Sequence, residues 1–395
     1  MALETETAAR AGHERLHALD ALRASAMLLG VILHAGMAYM ITPEVSWPKA
    51  KGGSPVFDIC NLAIHGFRMQ IFFLIAGFFG RLLLNRLGPK GFIRHRAQRI
   101  ALPFVLGMLT VVPLSTVAWN YSASHSLRAA LQSTLPLLFK TTGHLWFLYL
   151  LIFYYAAGLL CLPAARRILP PTFYAGTDRR FVRIIRSPIF LSGPILLTMA
   201  PLLVSPSGLD IGSSSAWIPS SRITAYYALF YGFGWLLHRN MHLLQDLRRG
   251  WAGYAAVSFA LLMICIILTP YHAGGGYFRF SPLKIATAAA YGGFTWSAVF
   301  AVTILFLQHL DHHSRLVRYV ADASYWFYLA HLPIVLFLQD LLNRTHIDVF
   351  IQFFAVLTAT LFICAVTYHF GVRFTWIGTI LNGRRKRVGE PTVRI

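Results

Sequence analysis

Arg23 and His34 stand eleven residues apart in the stretch "LDALRASAMLLGVILHAG". The stretch starts like a soluble helix and finishes like a membrane span, so both side chains fall inside or near an apolar run. An ionisable group in hydrocarbon costs at least a few kcal/mol unless it is paired or wetted, which makes each a candidate for chemistry. A second run, "DICNLAIHGFRMQIFFLIAGFFGRLLL", sets Asp58, Asn61, His65 and Arg68 at i, i+3, i+7 and i+10, one face of a helix. Such a stripe faces a bundle interior or a wet cavity. Arg68 lies near the middle of its run, where snorkelling is difficult; Arg23 and Arg373 lie nearer run ends, where a long side chain can reach the interface.

Neutral imidazole titrates near physiological pH and can act as a general base. Guanidinium can steady a developing oxyanion or hold a carboxylate in a bidentate fork. The depths allow the two to meet. At the helical rise, His34 lies about 16 Å along its helix from Arg23. The second run returns in the opposite direction and brings His65 to about the same level. "GHLWFLYLLIFYY" adds His144 and Trp146, and "ADASYWFYLAHLPIVLFLQD" places Ser324, Tyr328 and His331 at i, i+4 and i+7. A lone histidine there is more often a hydrogen-bonded core residue and a lone tryptophan an interface anchor; four histidines in one bundle shift that balance. A proton-coupled transporter would use the same residue types, although no inverted repeat and no paired broken helices stand in this sequence.

The elements that must position these groups are membrane helices. With 395 residues, 56% hydrophobic and only 12% charged, the chain is too apolar for a soluble protein. Apolar runs of spanning length predict ten transmembrane helices, near 21–41, 56–83, 99–118, 144–164, 188–205, 222–238, 251–270, 284–308, 323–342 and 347–381. The excess of 35 Lys+Arg over 14 Asp+Glu follows topology rather than a nucleic-acid partner, since alternate loops carry 24 and eight of the basic residues. The richer set holds both ends of the chain, so both termini are predicted to be cytoplasmic. Residues 1–20 then form a cytoplasmic segment, 21–381 the membrane domain and 382–395 a basic tail. The first span has no small-residue cleavage site and is expected to stay in the mature protein. Cys60, Cys161, Cys265 and Cys364 show no pairing pattern and read as small core hydrophobes.

The candidate residues resemble the membrane acyltransferase 3 family, whose pattern opens with Asp-x-x-Arg and a histidine eleven residues after the arginine, here Asp20, Arg23 and His34. "FFLIAGFFGRLLL", "RHRAQRIALPF", "HLWFLYLL" and "SYWFYLAHLP" follow in the family's order and extend the resemblance over most of the chain. Within the family, "IHGFRMQIFFLIAGFF" with His65, Phe67, Arg68 and Gln70, together with "HLWFL", is similar to the group that succinylates osmoregulated periplasmic glucans. Ala76 stands where many relatives have Ser. This sequence carries no esterase-like extracytoplasmic domain, which argues against members that pass the acyl group to such a partner.

The resemblance implies an all-α, multi-pass protein of the bacterial inner membrane that transfers an acyl group from coenzyme A to a sugar hydroxyl. The donor would be succinyl-CoA, with acetyl-CoA as the alternative, and no metal or permanently bound cofactor is expected. The acceptor would be a periplasmic glucan or another exported polysaccharide, with membrane lipid as a further partner and no nucleic acid. His34 would be the base, with Arg23, Arg68, His65 and Asp58 in the catalytic set. Arg23, Arg94, Arg96 and Arg99 would hold the donor, although the basic loop also suits plain positive-inside orientation and anionic lipid. Asp58, His144, Trp146, Tyr328 and His331 would meet the acceptor. The stretch "HAGGGYFRFSP" has aromatics that could stack on sugars but reads more simply as a connector.

Overall fold

The computed structural model describes residues 17–42, 47–187, 189–205, 209, 211–213, 215–243, 250–272, 281–310 and 314–383. Within them all regular secondary structure is helical, with no strand. The helices are α1 His17–Met37, α2 Pro55–Arg96, α3 Leu102–Leu109, α4 Val111–Ser124, α5 Leu127–Thr134, α6 Trp146–Ile168, α7 Pro171–Arg186, α8 Ser192–Val204, α9 Ser221–Arg239, α10 Trp251–His272, α11 Pro282–His309, α12 Arg315–Asn343, α13 Val349–Val366 and α14 Trp376–Asn382. Their starts carry local signals. Ser54, Ser281 and Ser314 cap α2, α11 and α12 by accepting from backbone N–H groups of the first turn, and proline occupies the first turn of α2 and α11. Asp348 caps α13 in the same way, 2.9 Å from the Phe350 amide.

Seven helical stretches among the described residues are long and apolar enough to cross a membrane, against the ten expected. Two expected spans merge, because Pro55–Ser124 forms one 70-residue stretch. Its break at Gly88, with φ 66° ahead of Pro89, lies between them. The expected 188–205 span is realised as α8, only 13 residues long, and α9 is not apolar enough to join the seven. The last expected span ends early: α13 passes through a wider turn at Thr367–Val372 and gives way to the short α14. Residues 1–16 of the predicted N-terminal segment, the basic tail beyond residue 383 and most of the glycine-aromatic connector lie outside the described residues, while residues 17–20 already belong to α1.

The outward faces fit a bilayer. Phe259 and Ile267 of α10 are 64% and 63% exposed, and Phe354 and Phe362 of α13 are 59% and 70% exposed. Patches of that size are a liability in water and the proper face toward lipid. Cys60 and Cys161 also face outward, so only Cys265 and Cys364 are core residues as expected. Inside, α1 packs on α2 and α12, α2 on α9, and α10 on α11. The α2–α9 crossing depends on two glycines, because a Cβ at Gly77 would collide with the Tyr231 carbonyl and one at Gly234 with that of Leu74. Small residues of this kind let membrane helices approach closely, where packing and not hydrophobicity holds them together. This close α2 carries the polar stripe into the centre of the bundle.

Candidate active site

One cavity of about 540 Å³ gathers the candidate side chains from four separate parts of the chain. α1 contributes His34, α2 contributes His65 and Arg68, the start of α6 with the residues before it contributes His144 and Trp146, and α12 contributes Tyr328 and His331. Its size falls within the roughly 300–1,000 Å³ usual for small-molecule sites. Seven of the sequence-predicted site residues therefore share one space, although they are as far apart in sequence as His34 and His331.

The two histidines touch. His34 Nδ1 lies 2.8 Å from His331 Nε2, with ring planes 4° apart. His331 Nδ1 lies 2.8 Å from the carbonyls of both Phe327 and Tyr328. Carbonyls only accept, so His331 Nδ1 carries a proton, and in the neutral ring its Nε2 is an acceptor. His34 Nδ1 then donates to it. That tautomer leaves His34 Nε2 as a lone pair, and no group among the described residues bonds it. An imidazole oriented through one nitrogen and open at the other is the arrangement that general-base catalysis uses.

Trp47 and Gln339 help to fix the His34 ring. Trp47 stacks on it at 5.5 Å and 25°. Gln339 donates to the carbonyls of His34 and Ala35, each at 3.0 Å, and accepts at 3.1 Å from the Trp47 indole. Beyond His331, His144 meets that ring edge-on at 5.8 Å, and the Tyr328 hydroxyl donates to the His144 carbonyl at 2.9 Å. Trp146 packs 5.5 Å from Tyr227 as a wall of the cavity.

Among the described residues, Arg68 is the cavity's one arginine or lysine, and no carboxylate lines the space with it. Its Nε is buried with no hydrogen-bond partner among the described residues. The guanidinium lies against α1 where Gly30 leaves room, since a Cβ there would overlap Arg68 Nη1. A cation inside the membrane with part of its hydrogen-bonding capacity unmet is costly. Such a cost is offset when an anion or a developing negative charge occupies the space beside it.

The other predicted residues lie outside this cavity. Asp58 sits in the first turn of α2 and accepts from the amides of Ile41 and Thr42, at 2.8 and 2.9 Å, and from the Thr42 hydroxyl. It pins the chain after α1 and does not line the cavity. Asn61 turns to the Met40 sulfur at 3.3 Å, and Ser324 bonds the Ala321 carbonyl at 2.9 Å, so neither stripe is wholly a cavity face. Arg23 pairs with Asp20 at 3.4 Å and is 38% exposed. Arg94 is exposed, whereas Arg96 lies 4.6 Å over the Tyr155 ring. Arg99 donates to the carbonyls of Thr379 and Ile380, at 3.0 and 2.9 Å, and so holds the end of α14. Arg373 stacks 4.9 Å over Tyr319.

Gln339, Trp47 and Gly30 were not singled out from the sequence. Gln339 carried a usable signal, because it is a polar residue inside an apolar run, as Arg68 is. Gly30 and Trp47 carried none, since their roles arise from partners on other segments. A separate groove of about 690 Å³, lined by Asp178, Arg179, Arg183 and Arg186, shares no residue with the cavity.

Comparison with known proteins agrees with the geometry. The model of the acyltransferase domain matches residues 16–369. The glucans biosynthesis protein C of Escherichia coli strain K12 is 24% identical over 388 residues, covering 94% of this chain and 95% of its own. The protein of the same name from strain O157:H7 is likewise 24% identical over 388 residues, with the same coverage. No solved structure matches the chain. The matched region takes in the whole cavity and most of the chain, and the protein belongs to the acyltransferase 3 family of multi-pass membrane acyltransferases.

Proposed function

We propose that the protein moves a succinyl group from cytoplasmic succinyl-CoA to a hydroxyl of a periplasmic glucan, with His34 as the general base. The observation that carries this reading is the Arg68 guanidinium, whose Nε has no hydrogen-bond partner among the described residues, in the same cavity as the oriented His34–His331 pair. His34 Nε2 takes the proton from the acceptor hydroxyl as its oxygen attacks the thioester carbonyl carbon. The new C–O bond forms, the C–S bond breaks, and the coenzyme A sulfur leaves with the proton returned by the His34 imidazolium. Arg68 binds the far carboxylate of the succinyl group in a bidentate fork, or the oxyanion of the tetrahedral intermediate. The glucan acceptor is supported by the name of the Escherichia coli relatives. O-acetylation of another exported polysaccharide keeps the same base and gives Arg68 the oxyanion alone.

In this reading ten spans cross the inner membrane with both termini in the cytoplasm, α8 and α9 completing the set. The basic residues of alternate loops support that orientation. Arg23 stands below the cavity toward the cytoplasm, where its charge serves the entering donor together with Arg94 and Arg96. A cysteine introduced at Ser124, after the native cysteines are replaced, should react with an impermeant reagent from the periplasm. Labelling only after permeabilisation would invert the orientation.

The reaction itself is tested by mass spectrometry of periplasmic glycans from a host with and without the protein. Added succinyl mass on a glucan is expected. Acetyl mass would move the reading to the acetyltransferase, and unchanged glycans with solute or proton flux would move it to a transporter.

A further inference from the structure

The wall that α4 contributes to the cavity has no role in the reaction as described. Thr116, Trp119 and Asn120 line it at i, i+3 and i+4, so they share one face of the helix. The Trp119 ring stands edge-on to Trp47 at 5.2 Å and 77°, and Trp47 in turn stacks on His34. The three rings run in sequence from the α4 wall to the base.

The polar atoms of this wall are only partly used. Asn120 donates from Nδ2 to the Thr134 hydroxyl at 3.0 Å, and its Oδ1 takes no hydrogen bond among the described residues. The Thr116 hydroxyl donates to the Val112 carbonyl at 2.9 Å, which leaves its oxygen as an acceptor. Trp119 is half-buried, and its indole N–H finds no acceptor among the described residues. Among the described residues the lining includes no Asp, Glu or Lys. A flat apolar plate edged by one donor and two acceptors, without a carboxylate, matches a neutral sugar ring. Its C–H face rests on the indole and its hydroxyls reach the edge.

We infer that Trp119, flanked by Thr116 and Asn120, seats the acceptor's sugar ring and thereby delivers a hydroxyl to His34. The inference rests on the acyltransferase reading for the hydroxyl's fate but not for the binding itself. The seat lies on α4, outside the set of residues expected to meet the acceptor from the sequence.

Two measurements on the full-length protein in detergent or lipid discs separate the seat from the reaction. The first is calorimetric binding of a neutral gluco-oligosaccharide to the wild type, Trp119→Leu and Trp119→Phe. Leucine should weaken binding about tenfold or more, and phenylalanine should recover part of it by restoring a flat face. The second is transfer from labelled succinyl-CoA, in which Trp119→Leu should raise the acceptor KM and leave the donor KM and glycan-independent thioester hydrolysis unchanged. Wild-type binding with no transfer would keep the seat and remove the proposed function. A Trp119→Leu variant with wild-type affinity, or a wild type that binds no gluco-oligosaccharide, would overturn the seat. Equal loss of hydrolysis and transfer in a folded Trp119→Leu would also overturn it, by reducing Trp119 to a support for Trp47 and His34.

Discussion

His34 Nδ1 lies 2.8 Å from His331 Nε2, joining two residues separated by 297 positions in the chain. Because His331 Nδ1 is committed to two carbonyls, the contact selects which nitrogen of His34 is free. His331→Leu should therefore lower kcat by about 10²-fold, within the range for loss of an effective general base, with little change in donor KM. His331→Gln should recover part of the rate, since its amide oxygen can accept from His34 Nδ1. Steady-state kinetics of both variants check this; equal rates in the two would mean that the contact only packs.

Arg68 needs its planar fork more than its charge. Arg68→Lys keeps a cation in the cavity but cannot make two parallel bonds to one carboxylate. The expected outcome is a lower kcat with nearly unchanged donor affinity, measured with succinyl-CoA and acetyl-CoA side by side. A loss confined to succinyl transfer assigns Arg68 to the acyl carboxylate, and an equal loss with both donors assigns it to the oxyanion.

Gly30 tests the placement of that guanidinium from the opposite helix. The methyl group of Gly30→Ala would occupy the space of Arg68 Nη1, the far end of a flexible side chain. The bundle should therefore fold normally while the guanidinium swings out of register. Turnover should fall at least tenfold with unfolding temperature changed little, as measured by a thermal melt beside an activity assay. Full activity in Gly30→Ala would mean that the position of Arg68 against α1 does not matter.

Gln339 holds three backbone or indole groups at the end of α1, and it is 1% exposed. Gln339→Leu leaves two carbonyls and one indole N–H without partners, at a cost of about 1–3 kcal/mol for such groups. The melting temperature should drop, and activity should fall with it as the His34 ring loses Trp47. A melt identical to the wild type would show that lipid or water replaces the glutamine.

The pair Arg68 and His65 was legible in the sequence because an intramembrane charge has few uses and helical spacing sets both on one face. His34, His144 and His331 were legible as buried histidines, but their grouping was not, since no local rule relates positions 34 and 331. Asp58 followed the same stripe and still left the cavity. It stands in the first turn of α2, where the amides of Ile41 and Thr42 fold back within reach, and local capture of a carboxylate wins over a shared face. Arg99 shows the same limit, because the carbonyls that engage it come from a helix nearly three hundred residues later. Among the helices, apolar length located the cores of the spans, whereas the merging of two of them depended on continuity through the turn at residues 97–101.

The central claim is that His34 removes a proton from the acceptor hydroxyl, and its most direct test is acyl transfer by His34→Ala. Membranes carrying the wild type or the variant would be given radiolabelled succinyl-CoA and a periplasmic glucan, with folding of both checked by thermal melt. Label should pass to glucan with the wild type and fall by about 10²- to 10⁴-fold with the variant. Near-normal labelling by a folded His34→Ala protein would contradict the account.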